Sequence, residues 1–433
     1  MKATAKRAAA VVAAVTAGAG AVWAAPAVSN VNMQQMPNSR QVQVTYDLAG
    51  GSAIITLSIE TNGVAIPDSA VTRLHGDVCK TVEPGDGKTI VWNAGADWPE
   101  NVTMENARAR VTAWFTNAPP QYCAVDVTGG SATNSYPVYY YPSAEAVPGG
   151  VTNHLYKTLR ILMRQIPPTG EAGFTMGSPV SETGRSSDRE TQVTAVLTKG
   201  YYIGVYEVTQ GQWYKVMGTW PAYWNNNDCK LTRPMEQVSC YDIRENTNNT
   251  ADPDVNWPSN DVVNAGSFMG RLRARTGMAG FDLPTEAQWE YACRAGTTGA
   301  LNDGTVNITN ANSDARVGAL GRYKFNGGYV GGETEPAQNC TTENATAAAG
   351  SYAPNAWGLY DMHGNVFEWC LDRFAYAMPG GIDPKGPDTG TYRVQRGGAW
   401  SSGASWCRSA ARGYNNANAR SDRTGFRLVR TLP

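Results

Sequence analysis

The segment RGGAWSSGASWCRSAAR, residues 396–412, sets a single thiol, Cys407, at the end of a Trp-flanked Gly/Ser run close to the C-terminus. A thiol in that setting is one half of a reactive pair, a buried structural group, or part of a binding surface. The first role needs a second thiolate, because a soft metal is held poorly by one. The cysteines are Cys79, Cys123, Cys229, Cys240, Cys293, Cys340, Cys370 and Cys407, and none lies in a Cys-x-x-Cys pair. His75, His154 and His363 are far apart in sequence, so neither a zinc ribbon nor a His-rich iron site is visible. Around Cys407 the residue types suit recognition. Trp400, Ser401 and Trp406 precede the tail GYNNANARSDRTGFRLVR, with Tyr414, Asn415, Asn416, Asn418 and Arg420. Rigid aromatics mixed with adaptable amides are what ligand-binding loops use, and also what Asn-rich turns contain. The partner expected on such loops is a peptide, a protein or a glycan.

Composition narrows the partner. Only 17% of the 433 residues are charged and the formal net charge is −1, so no long-range field attracts a polyanion and nucleic acid is not expected. The chain opens with MKATAKRAAAVVAAVTAGAGAVWAAPA. Lys2, Lys6 and Arg7, an Ala/Val run and small residues near Ala24 have the anatomy of a secretory signal peptide over residues 1–27. An exported chain, periplasmic, cell-surface or secreted, is expected, with no membrane span after signal removal and with disulfides permitted.

Three stretches must position these residues. Residues 28–128 alternate apolar and polar residues in RQVQVTYDL, SAIITLSIETNG, KTIVWNAG and ARARVTAW, between Gly, Pro, Asp and Asn turns. That pattern reads as an all-β, immunoglobulin-like sandwich. Cys79 and Cys123 are the only cysteines within it, and a disulfide between them is expected. Residues 129–156 are rich in Gly, Ser, Pro and Tyr without a period and read as a connector. Residues 157–433 change character. Thr209 can cap a helix carrying Trp213 and Val216 inward, and Thr285 with Gln288 forms a capping box for a helix with Trp289, Ala292 and Cys293 on its core stripe. Gly296 should end that helix.

The motifs FTMGS, YYIGVYEVTQGQW, RPMEQVSCYD, FDLPTEAQWEYACRAGT, NAWGLYDMHGNVFEWC, RVQRGGAW and GFRLVR occur in one order from Phe174 to Arg430. Together they resemble the sulfatase-modifying-factor family, the formylglycine-generating-enzyme-like proteins. The resemblance implies an irregular α+β fold related to the C-type lectins. It also implies an oxygen-dependent oxidase that converts a sulfatase cysteine to formylglycine with copper on two cysteines. In the family those cysteines stand five residues apart after a GGS stretch. Counted from Gly397 and Gly398, the first position here is Ser402 and the second is Cys407. Counted back from Ala410 to Arg412, Cys407 falls outside the pair, and Ala399 replaces the serine of GGS. Copper is therefore not expected, and a disulfide or close packing with Cys293 or Cys370 is the other role for Cys407. The resemblance also carries a calcium position onto Gly364, Asn365, Val366 and Glu368, with an ion pair to an arginine as the alternative use of Glu368. Three functions follow: an exported binding scaffold, an oxidase of formylglycine-generating type acting on a protein cysteine or a relative of altered chemistry, and a ligand-binding protein diversified in its C-terminal segment.

Overall fold

The computed structural model describes residues 25–100, 104–225, 229–245, 262–326 and 345–433. The expected signal peptide therefore lies, but for residues 25–27, outside the described residues. Two compact units divide the chain: residues 1–123 with 138–153, and residues 124–137 with 154–433. The expected connector is thus split between them. Its tyrosines are anchored, since Tyr136, Tyr140 and Tyr141 are all buried.

In the first unit, β1 (Ala27–Gln35), β2 (Val42–Ala49) and β4 (Gly85–Trp92) form one antiparallel sheet, and β3 (Ala53–Thr61) pairs with β5 (Arg108–Trp114) in another. The period-two pattern of β2 buries Val44, Tyr46 and Leu48. These side chains share one core with Ile55, Leu57 and Ile59 of β3 and with Ile90 and Trp92 of β4. The Cys79–Cys123 bridge is not formed, because Cys79 keeps a free thiol. Cys79 sits in a turn at φ 56, while Cys123 lies on a strand, Tyr122–Asp126, that leaves this unit at residue 124.

Two sheets and three helices of the second unit position the residues of interest. Strands β6 (Arg160–Ile166), β7 (Tyr201–Gly204) and β11 (Val429–Thr431) are antiparallel neighbours. The other sheet runs in the order β10 (Gly413–Asn416), β9 (Tyr392–Arg396), β8 (Phe367–Arg373), Thr424–Gly425. Helices α1 (Gln210–Met217) and α3 (Glu286–Arg294) start with capping boxes, Thr209 with Gln212 and Thr285 with Gln288. Helix α2 spans Phe268–Thr276. The left-handed residue that closes α3 is Ala295, at φ 45, one position before the expected Gly296. Trp289, Ala292 and Cys293 of α3 join Met362, Cys370 and Val394 in the core.

Buried charges lock the C-terminal segment to α3. Arg396 bonds to Glu290 and pairs with Glu286 at 3.6 Å. Arg412 reaches Glu286 at 2.6 and 2.8 Å, and Arg408 takes Glu182 at 2.5 Å and Glu190 at 2.9 Å. Removing one member of such a pair leaves a buried charge unmatched, a loss of about 3–5 kcal/mol. Residues 396–412 are therefore held at both ends and near their middle.

Candidate functional site

Between those clamps, Gly397 and Gly398 take φ 95 and 77. A Cβ on Gly398 would stand 2.7 Å from the Cys407 sulfur, so the turn and the thiol pack as one unit. Cys407 ends a short 3-10 turn, Ala404–Cys407, and is fully buried. Its neighbours are apolar: Ala300, Leu301, Ile308, Val317 and Leu320. Burial pushes the thiol up to about 12, so at neutral pH it stays protonated and is not a nucleophile. Cys407, Cys293 and Cys370 are all free thiols, so of the two structural roles expected for Cys407 it takes packing, with an apolar cluster of its own rather than with those cysteines. Cys229 is disulfide-bonded. Ser402, at the other thiol position, accepts the Ala399 N–H through Oγ at 3.1 Å, and its carbonyl accepts from Lys324 N at 3.0 Å. The two positions thus hold a buried thiol and a hydroxyl engaged in its own turn.

A thiol and an imidazole do meet elsewhere. Cys293 Sγ lies 3.9 Å from His363 Nε2, a proximity that sequence spacing gave no sign of. The ring is not a base for this thiol. Nε2 accepts the Asn302 N–H at 3.0 Å, so Nδ1 carries the proton and donates to the Cys407 carbonyl at 2.6 Å. Burial lowers the His363 pKa to about 4. His363 is a neutral strut that ties residues 302 and 407 to its own turn.

The side chains expected for calcium have other partners. Glu368 is an ion-pair partner, with Arg427 nitrogens 2.6 Å from each carboxylate oxygen and the Trp289 indole N–H donating to Oε2 at 2.7 Å. Asn365 spends its amide on Glu207 at 2.7 Å and on the Ala347 N–H at 2.9 Å. Neither side chain is placed to serve a cation. Asp361, on the same turn, keeps a buried Oδ1 with no partner, and burial pushes its carboxyl up to about 6. An unpartnered carboxylate oxygen is a hard ligand of the kind calcium takes. Among the described residues, no group of three or more His, Cys, Asp or Glu side chains is arranged to hold a metal ion.

Strand alternation divides the expected ligand-binding residues. Gln395 of β9 pairs with Trp369 of β8 and with Gly413 of β10, so Phe367, Trp369, Arg393 and Asn415 belong to one face. Tyr414 pairs with Val394, and Tyr392 with Asn416, on the other. Trp406 joins the first face: it is 43% exposed and meets Phe367 edge-on at 6.1 Å. Trp400, expected as an exposed anchor, is instead buried at 8% exposure, its indole N–H donating to the Asp422 carbonyl at 3.1 Å. Its ring packs edge-on against Trp224 at 5.3 Å. Arg420 is a strut as well, bonded to Asp242 at 2.9 and 2.6 Å. Asn416 and Asn418 are exposed, while Ser401 and Asn415 are half-buried.

Three buried polar atoms near Trp400 have no partner: Ser401 Oγ, Trp224 Nε1 and Glu236 Oε2. Glu236 accepts the Trp224 N–H through its other oxygen at 2.8 Å, and burial pushes its carboxyl up to about 7. The one sequence signal for Glu236 is a carboxylate between Met235 and Val238 in a core-like motif.

Residues 168–432 match the model of the sulfatase-modifying factor enzyme 1-like domain. The chain belongs to that family. Among its relatives, the chaperone protein LppX of Paenibacillus barcinonensis is 31% identical over 264 residues, covering 58% of this chain and 86% of that protein. The formylglycine-generating enzyme of Streptomyces coelicolor is 38% identical over 159 residues, 35% of this chain. Against that enzyme the match spans 47% of its length. Among solved structures, Treponema denticola variable protein 1 is 27% identical, covering 64% of this chain and 96% of that one, with a TM-score of 0.45. In this sulfatase-modifying-factor chain the two positions counted from Gly398, Ser402 and Cys407, hold a hydroxyl and a protonated thiol. Among the described residues, no helix is long and apolar enough to cross a membrane.

Proposed function

We propose that this chain is an exported binding protein on the sulfatase-modifying-factor scaffold, recognising a peptide, protein or glycan without oxidising it. The observation that carries this reading is the state of the two thiol positions: Cys407 is fully buried in an apolar cluster, and Ser402 closes a turn with its hydroxyl. Recognition is assigned to the Phe367 face, where Trp406 and Phe367 offer ring surface and Asn415 an amide. The N-terminal unit, read as an immunoglobulin-like sandwich, serves as a spacer or second recognition module. Calcium belongs to the proposal as a structural ion at Asp361 and the carbonyls of Gly364 and Val366.

A second reading, a segment diversified between copies of the gene, is favoured by one feature. Ser401, Ser402, Gly403, Ser405 and Trp406 are partly or fully exposed, whereas Cys407 to Gly413 are buried without interruption. Exposed positions on a fixed buried frame change at little cost in stability. The experiment is a copper(I) titration of the full chain with a sulfatase-derived cysteine peptide assayed for aldehyde. No aldehyde is expected, and its formation would establish the oxidase instead.

A further inference from the structure

The face of the sheet opposite Phe367 ends in four aromatic rings. Tyr392 and Tyr414 are diagonal neighbours across β9 and β10, with ring centroids 5.0 Å apart. Tyr414 stacks on Phe374 at 4.1 Å, and Tyr376 meets Phe374 edge-on at 5.4 Å. Phe374 packs against the domain core, so the group has a rigid root. Its outer members are open, Tyr376 being 55% and Tyr392 43% exposed. The rim is polar and electrically balanced. Arg189 lies over the Tyr414 ring at 5.7 Å and pairs with Asp188 at 3.3 Å, and exposed Asn416 shares the face.

We propose that this four-ring surface is a second binding site, separate from the Trp406 face, and that it takes a neutral saccharide. A contiguous exposed aromatic patch with a polar rim is the usual mark of a binding surface. Flat ring faces suit the C–H face of a pyranose. The fork of Arg189, the carboxylate of Asp188 and the amide of Asn416 supply donors and acceptors for its hydroxyls. Charge excludes the other small ligands: Arg189 already covers the Tyr414 face that a cation would seek, and Asp188 stands against an anion. A proline-rich peptide also docks on tyrosines, but it needs their hydroxyls as outward donors. Here the tyrosines instead close on one another through Phe374, Tyr414 stacked on it and Tyr376 edge-on.

The test is calorimetric and NMR titration of the full chain with neutral oligosaccharides of glucose, N-acetylglucosamine and mannose, and with a proline-rich decapeptide. Wild type, Tyr376→Ala, Tyr392→Ala and Trp406→Ala are compared. At least one sugar should bind wild type and Trp406→Ala alike and bind both tyrosine variants about tenfold or more weakly, in line with the loss of a central aromatic anchor. Sugar binding that survives both tyrosine substitutions would overturn the assignment. So would the absence of binding by every sugar, or binding of the peptide that is lost in the same variants. Trp406→Ala separates this site from the other face, because the assignment here stands whether or not that face binds anything.

Discussion

Cys407 shows how far one residue can be read from its neighbours. Its spacing after Gly398 raised the question of copper, and its surroundings are those of a packed residue: an apolar pocket, a protonated thiol and a backbone carbonyl held by His363. Cys407→Ser should lower stability by about 1–3 kcal/mol, since it buries a hydroxyl in place of a sulfur, and should leave ligand affinity unchanged. Denaturant unfolding read beside a binding titration checks both. A lost affinity in a protein of unaltered stability would contradict the structural role.

Glu236 makes a prediction in pH. Its folded pKa, about 7, lies above the ordinary glutamate value of 4.5. The folded state therefore holds this proton where the unfolded state has lost it, and the associated stability, full below pH 4.5, is lost as pH rises to about 7. Glu236→Gln removes the buried charge. It should be nearly neutral at pH 4.5 and stabilising by about 1–3 kcal/mol at pH 8, measured as unfolding free energy at the two pH values. A gain of equal size at both would show that the carboxyl does not titrate with folding.

At the scale of elements, what mattered was the two-residue repeat of the strands. Tyr414 and Asn415 are adjacent in sequence and look like one loop's contribution to a single surface. Because β10 is a strand, its side chains alternate, and these two leave on opposite faces of the sheet. The tail that reads as one binding loop therefore serves two surfaces. Helices were the more legible elements: Thr209 and Thr285 act as N-caps as expected, Thr285 with Gln288, while Thr209 gains Gln212 as well, since capping depends on residues three apart and on nothing distant. The end of α3 departed by one residue. Ala295 takes the left-handed position while Gly296, at φ 91, continues the turn.

For the whole molecule, calcium can be tested without naming the partner. If Asp361 Oδ1 with the carbonyls of Gly364 and Val366 holds an ion, calcium at a hundred times its Kd adds about 2.7 kcal/mol. That corresponds to a few degrees in Tm for a domain of this size. Chelator should lower the Tm, and Asp361→Ala should melt at the chelated value with or without calcium. Equal melting with chelator and with excess calcium would remove the ion from the proposal.

Much of this protein was determined by sequence alone. Ordered motifs between Phe174 and Arg430 identified the family, which the match over residues 168–432 bears out. Capping residues marked two helices, and the count from Gly398 singled out Ser402 and Cys407. These are local signals, legible because the chain's own spacing carries them. Long-range pairings were decided only by the tertiary structure. The capture of Glu368 by Arg427 joins residues 59 apart, and the contact of Cys293 with His363 joins residues 70 apart. Trp400 is buried because Trp224 and the Asp422 carbonyl reach it from separate loops. Cys79 and Cys123 share a stretch of sequence but no bridge, because a disulfide needs two sulfurs brought into bonding distance by the fold. Sequence lists the groups available, and three-dimensional packing chooses which of them meet.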